Sequence, residues 1–151
     1  MEACKAAMQS DSIDEVEQAA KSAVEKVRLL AYVDTLYYLW KGGRVPGIAY
    51  LGANMLGLKP LFEMRQGEII RHGIHRSELD AIDSMTALIS DHVAGNKIKA
   101  CIMHANALDQ ANQIAESLKA KPLVVDEYIA ELTPAMGVHT GPGTVGIAIT
   151  H

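Results

Sequence analysis

Residues 133–146 read Thr133-Pro134-Ala135-Met136-Gly137-Val138-His139-Thr140-Gly141-Pro142-Gly143-Thr144-Val145-Gly146. An imidazole and a hydroxyl, from His139 and Thr140, run straight into a Gly-Pro-Gly turn, and an apolar stretch follows. Side-chain donors next to glycines are the ingredients of anion recognition. The ring N–H and the hydroxyl donate, and Gly141 and Gly143 let backbone N–H groups come close to a bound oxygen. A lone His is more often a surface residue or a satisfied core residue. The neighbouring Thr and the glycine turn argue for the anion-reading role at His139. The Thr140 hydroxyl is read either as a ligand donor or as a partner of its own turn.

Other segments imitate known chemistry and fail on context. Gly141 to Gly146 matches G-x-G-x-x-G, but a dinucleotide fingerprint must open a helix with an acid about 20 residues on, and β-branched alternation follows here instead. Gly52 to Lys59 approaches a phosphate loop, yet Leu58 takes the lysine position and Lys59 the Ser/Thr position. His72 and His75 are three apart, which on a regular strand sends them to opposite faces and away from a shared metal. No G-x-S-x-G elbow, H-E-x-x-H pair or Cys/His cluster occurs, so no catalytic constellation is found and an enzyme is the least favoured reading. Two cations stand near turns. Arg76 precedes a helix beginning at Ser77, where a guanidinium can reach an anion. Arg44 follows Gly42-Gly43, which reads either as a plain helix stop or as a place to meet a ligand.

The elements that must position these groups alternate between helix and strand. Ser12 and Glu15 form a capping-box pattern that opens a polar helix to about residue 26. Residues 27–33 read as a buried strand, and Asp34 or Thr35 as the cap of a short helix stopped at Gly42-Gly43. Pro46 and Gly57 bracket a helix over 48–58 that is apolar almost all round, with Ile48, Leu51 and Met55 on one stripe. Gln66-Gly67 joins strands at 61–64 and 68–74 in a hairpin. A helix from Ser77 to Gly95-Asn96, a strand over 98–103, a helix over 107–120 and strands over 123–132 and 144–150 complete the chain. The hairpin breaks a purely parallel pattern, so the expected fold is α/β, a mixed β-sheet with packed helices.

The composition sets outer limits. The chain has 151 residues, enough for one domain over 1–151 with a real core. Aromatics make up only 5%, so Ala, Leu, Ile and Val must fill that core. A net charge of −4 with scattered basic residues argues against a nucleic-acid partner. Cys4 and Cys101 form no disulfide framework, no apolar run is long enough to span a bilayer, and the expected location is cytoplasmic.

The His139 corner, Val33-Asp34-Thr35-Leu36-Tyr37-Tyr38-Leu39 running into Lys41-Gly42-Gly43-Arg44, and Leu58-Lys59-Pro60-Leu61 resemble, in this order and spacing, the DegV family of fatty-acid-binding proteins. The resemblance covers the back half of a family member, its C-terminal lobe, without the front half that also grips the carboxylate. It implies a long-chain fatty acid as ligand, with no other cofactor. His139 contacts the carboxylate, supported by Thr140, Gly141 and Gly143, and Arg76 matches the basic residue that opens the corresponding helix. The segment with Ile48, Leu51 and Met55 contributes to the acyl pocket. The resemblance further implies presentation of the carboxylate to a fatty acid kinase. A lobe without its companion is expected to self-associate or to pair with a separate N-terminal lobe. The alternative is a split or truncated lobe serving as a protein-interaction module that binds no lipid of its own.

Overall fold

The computed structural model describes residues 2–44, 57–93, 96–119, 121 and 124–150. Its elements are α1 (Glu2–Ala7), α2 (Ile13–Lys26), β1 (Arg28–Tyr32), α3 (Tyr37–Lys41), β2 (Lys59–Arg65), β3 (Glu68–His75), α4 (Glu78–Val93), β4 (Ile98–Ala105), α5 (Leu108–Lys119), β5 (Val124–Glu131), α6 (Pro134–Thr140) and β6 (Thr144–Thr150). The six strands form one sheet in the order β3-β2-β1-β6-β4-β5. Only β4 and β5 run parallel, joined through α5; every other pair is antiparallel. The expected mixed sheet with packed helices is the fold observed. The helix expected over 48–58, with Ile48, Leu51 and Met55, lies outside the described residues.

Alternation along the strands separates two faces. Leu30, Tyr32, Leu61, Ile102, Val145 and Ile147 point to the face covered by α4 and α5 and are buried there. Met85, Ile89, Ile114 and Leu118 close that core from the helix side. The second face follows from the register. Leu29 lies opposite Met64 and Ala148, Ala31 opposite Phe62 and Gly146, and Cys101 opposite Ala148. This face is small and apolar in the middle and partly open, with Met64, Ile69 and Tyr128 each at least 44% exposed. None of the described helices is long and apolar enough to cross a membrane.

Local signals behave unevenly. Gln66 and Gly67 both have positive φ, 51° and 82°, as a two-residue I′ hairpin turn requires. Ser77 caps α4 by accepting the Asp80 N–H at 3.1 Å. Ser12 occupies the N-cap of α2 in an extended conformation but makes no side-chain cap bond, so the capping box does not form. The α3 helix starts at Tyr37, later than Asp34 or Thr35 suggest. Thr35 Oγ1 accepts the Tyr37 N–H in a local turn, and the Asp34 carboxylate is drawn to Lys59.

One charged group sits inside the sheet. Glu63 is 1% exposed, between the Arg28 guanidinium, whose Nε donates at 2.5 Å, and His72 Nε2 at 2.7 Å. A bulge makes this possible. The β2–β3 register steps from Leu61↔Gly73 to Phe62↔Arg71, leaving His72 as the extra residue, which turns toward Glu63. The rule that residues three apart on a strand face opposite ways therefore does not hold for His72 and His75. Burial alone would raise the Glu63 carboxyl, but hydrogen bonds and charge from His72 and Arg28 outweigh it and hold the group below its ordinary value of 4.5. A lowered folded-state value means that the stability contributed by Glu63 is complete above the unfolded value and is lost as pH falls through the folded one. Glu63→Gln is expected to cost about 3 kcal/mol at neutral pH, because it leaves the Arg28 charge without its partner. Urea unfolding at pH 7 and across the acid range should show this loss and a flatter acid limb in the variant.

Candidate anion-binding corner

The corner forms where two distant segments meet at one end of the sheet. The first leaves β1, whose Tyr32 ends opposite Val145, and continues through α3 to Arg44. Val33 and Leu36 are buried and pack with Leu39 and Phe62, which seats α3 on the second face. The other segment is α6 and the turn into β6. Pro134 at the first helical turn and Gly141 at its end (φ 81°, ψ 167°) bound a seven-residue helix with His139 in its last turn.

Three glycines let these segments touch. A Cβ on Gly42 would stand 2.9 Å from His139 Nδ1, one on Gly141 2.2 Å from Tyr38 Cδ2, and one on Gly143 2.6 Å from Asp34 Cβ. The imidazole thus lies directly over Gly42. Arg44 reaches the same point: its Nη1 would be 3.4 Å from a Cβ on Gly42, and it donates to the Gly42 carbonyl at 2.5 Å. His139 and Arg44 flank one glycine with nitrogen donors of two kinds.

Behind this front lies a polar brace. Lys59, 8% exposed, forms an ion pair with Asp34 and stands 3.8 Å from Glu78, which accepts from Gln110 Nε2 at 3.0 Å. The pairing offsets the Asp34 charge, which would otherwise repel an anion at the turn. Tyr32 is fully buried, and its hydroxyl has no partner among the described residues. Burial pushes that hydroxyl's pKa upward, and the Glu78 and Asp34 carboxylates push it further.

The expected site residues divide. His139, Gly141 and Gly143 come together with Tyr38, Asp34 and Gly42. The turn does not offer its amides, however. The Gly141 N–H is bonded to the Gly137 carbonyl and the Gly143 N–H to the Ala105 carbonyl, each at 2.8 Å. These glycines serve close packing, and the donors at the corner are side chains. Thr140 spends its hydroxyl on the Met136 carbonyl at 3.2 Å, and its own carbonyl accepts from Thr144 Oγ1 at 3.0 Å. Arg76 is exposed at the bend after β3, two strands from β1, with no hydrogen bond or ion pair among the described residues. Arg44 is the cation beside His139. The Lys41-Gly42-Gly43-Arg44 run carried that signal, but a helix stop explained the run equally well.

Gly141→Ala combines a positive φ with a clash against the Tyr38 ring and is expected to destabilise by about 2–4 kcal/mol. Gly137→Ala, inside α6 with open space around the new methyl, is expected to be neutral or to stabilise by up to about 1 kcal/mol. Denaturant midpoints of the two variants check this opposite pair.

A DegV family model ("Uncharacterised protein, DegV family") matches residues 1–151. A DegV domain-containing protein of Clostridium acetobutylicum is 34% identical over 147 residues, covering 97% of this chain and 51% of that protein. A fatty acid-binding protein of Thermotoga maritima is 29% identical over 140 residues, covering 89% of this chain and 49% of its own length. The crystal structure of a fatty acid binding DegV family protein of Streptococcus agalactiae superposes with a TM-score of 0.85 at 27% identity, over 99% of this chain and 53% of that one. The chain spans about half the length of the relatives it matches. By the family model over its whole length and these likenesses in sequence and fold, the chain belongs to the DegV family.

Proposed function

We propose that this chain binds a long-chain fatty acid, with His139 and Arg44 holding the carboxylate and the second face of the sheet receiving the alkyl chain. The convergence of an imidazole and a guanidinium on Gly42 carries the reading. An anion there meets two side-chain donors, while the neighbouring Asp34 carboxylate is paired with Lys59. Ala31, Gly146 and Ala148 keep the adjacent sheet face low, and Leu29, Phe62 and Met103 supply apolar walls. The fatty-acid-binding relatives support the ligand class. Among the described residues the carboxylate nearest the turn, Asp34, is paired with Lys59, which favours a carrier that presents the ligand's carboxylate, probed best as a substrate for a fatty acid kinase. The two cysteines are free, in keeping with a cytoplasmic setting.

The same exposed face supports docking of a complementary half, either a separate front lobe or a second copy. Met64, Ile69 and Tyr128 are open on it. An interaction module without lipid would use this surface too, but it would have no use for two anion donors at its edge.

Each buried methylene contributes about 0.8 kcal/mol, so a sixteen-carbon chain covered on one side gains roughly 5–6 kcal/mol before association costs. Affinity for palmitate is therefore expected at micromolar or weaker, with methyl palmitate weaker still and ATP without measurable effect. His139→Ala and Arg44→Gln should each weaken palmitate about tenfold to a hundredfold, from the roughly 1.5–3 kcal/mol of a charge-assisted hydrogen bond. Arg76→Ala should weaken it less. Calorimetry on variants with native circular dichroism tests this. Unchanged affinity in both His139→Ala and Arg44→Gln removes the corner from the site, and tight ATP binding with no response to palmitate overturns the ligand class.

A further inference from the structure

At the opposite end of the sheet lies a second concavity, separate from the corner. Along the β4–β6 pair, Ala105 faces Thr144 at the corner end and Lys99 faces Thr150 at the other. Six residues of strand place the two ends about 20 Å apart. There a half-open pocket of about 440 Å³ lies between residues of the α1–α2 hairpin and the ends of the strands. Lys5, Lys26, Lys97 and Lys99 line it, with Glu2 as its one carboxylate. Glu2 is paired with Lys5 at 2.7 Å. Lys26, Lys97 and Lys99 have no ion pair among the described residues, and Asp126, opposite Lys99 across β4–β5, makes none either. Ala23 and Val125 give the floor an apolar part, while Ser22 and Thr150 bring hydroxyls.

Among the described residues that line this concavity, four ammonium groups face one carboxylate, Glu2, which pairs with Lys5 and also feels Lys99; such a cluster is unusual in a chain whose net charge is −4. Like charges gathered in a cleft repel one another and focus a positive potential into it. A compact anion relieves that repulsion at several amines together, which a flat acidic protein surface cannot do inside a cleft. We infer that this pocket binds a phosphate group attached to a small organic body. The lysines and hydroxyls hold the phosphate, and the body rests on Ala23 and Val125. Lysine suits such a ligand as a mobile point charge, needing no planar match. The phosphate is that of a soluble phosphomonoester or of a lipid headgroup.

The test titrates the whole chain at low salt with glycerol 3-phosphate and, separately, with phosphatidylglycerol vesicles, following backbone amide resonances and vesicle co-sedimentation. Glycerol and phosphatidylcholine vesicles are the uncharged controls. Binding of glycerol 3-phosphate that moves the Ala23, Lys99 and Thr150 amides identifies a soluble ligand. Vesicle binding alone identifies a headgroup. In either case Lys97→Gln/Lys99→Gln should weaken binding about tenfold or more, and Lys41→Gln/Arg71→Gln, which do not line the pocket and lie on α3 and opposite Phe62 on β3, should leave it unchanged. The inference is overturned if neither probe binds, or if the two double variants lose binding equally, which is the signature of diffuse attraction. Fatty-acid affinity measured in parallel should not change in Lys97→Gln/Lys99→Gln, so the outcome stands apart from that of the carboxylate corner.

Discussion

The absence of three Cβ atoms is the constraint on which the corner depends. The α3 segment and the turn after α6 come from opposite ends of the sequence, and nothing local draws them together. They meet because Gly42 leaves room for the His139 ring, Gly141 for the Tyr38 ring and Gly143 for the Asp34 side chain. Any methyl at Gly141 would fall inside van der Waals contact with a ring that α3 holds in place. The contact cannot be relaxed on one side alone, so the position of His139 is set by the whole interface and not by the seven residues of its own helix.

The sheet supplies the rigid base for that contact. The central strands β1 and β6 pair through five residues, and each of the joined segments leaves or enters one of them at the same end. Apolar burial against α4 and α5 fixes the sheet from one side, and the smaller α3–Phe62 cluster holds its corner end from the other. Toward its edge, the Glu63 carboxylate ties β1, β2 and β3 together through Arg28 and His72. The other side carries α3 at its corner end, is small at Ala31, Gly146 and Ala148, and is open at Met64, Ile69 and Tyr128; it is the face to which the proposed reading assigns the ligand. The half-buried Lys59–Asp34 pair links the two requirements: it anchors the end of β1 to β2 and offsets a negative charge next to the turn.

Much of the fold is legible in residue patterns because its signals are local. The Gln66-Gly67 hairpin, the Ser77 cap, the alternation over 98–103 and the apolar stripe of α5 all report on neighbours within a few residues. The failures share a cause. Ser12 and Glu15 have the spacing of a capping box, but the side-chain bond is not made. The bulge that turns His72 onto Glu63 depends on the pairing of two strands and leaves no mark in either one. Helix α6 is short, contains Gly137 and has no apolar period, so Pro134 alone hints at it. The Gly-Pro-Gly turn is readable as important, yet its reason is steric and not electrostatic, since only the folded chain shows that its amides are already bonded. Arg44 is visible as a residue and ambiguous as a role; only the fold brings it and His139 to the same glycine.

The central claim is that one imidazole and one guanidinium read the ligand's carboxylate. It is tested most directly by NMR of protein carrying ¹⁵N-labelled histidine and arginine side chains, titrated with palmitate labelled with ¹³C at the carboxyl carbon. The account predicts that the His139 ring nitrogens and the Arg44 guanidinium nitrogens shift together, in step with the carboxyl resonance, while Arg76 stays in place. A carboxyl resonance that moves while His139 and Arg44 remain unperturbed would contradict it.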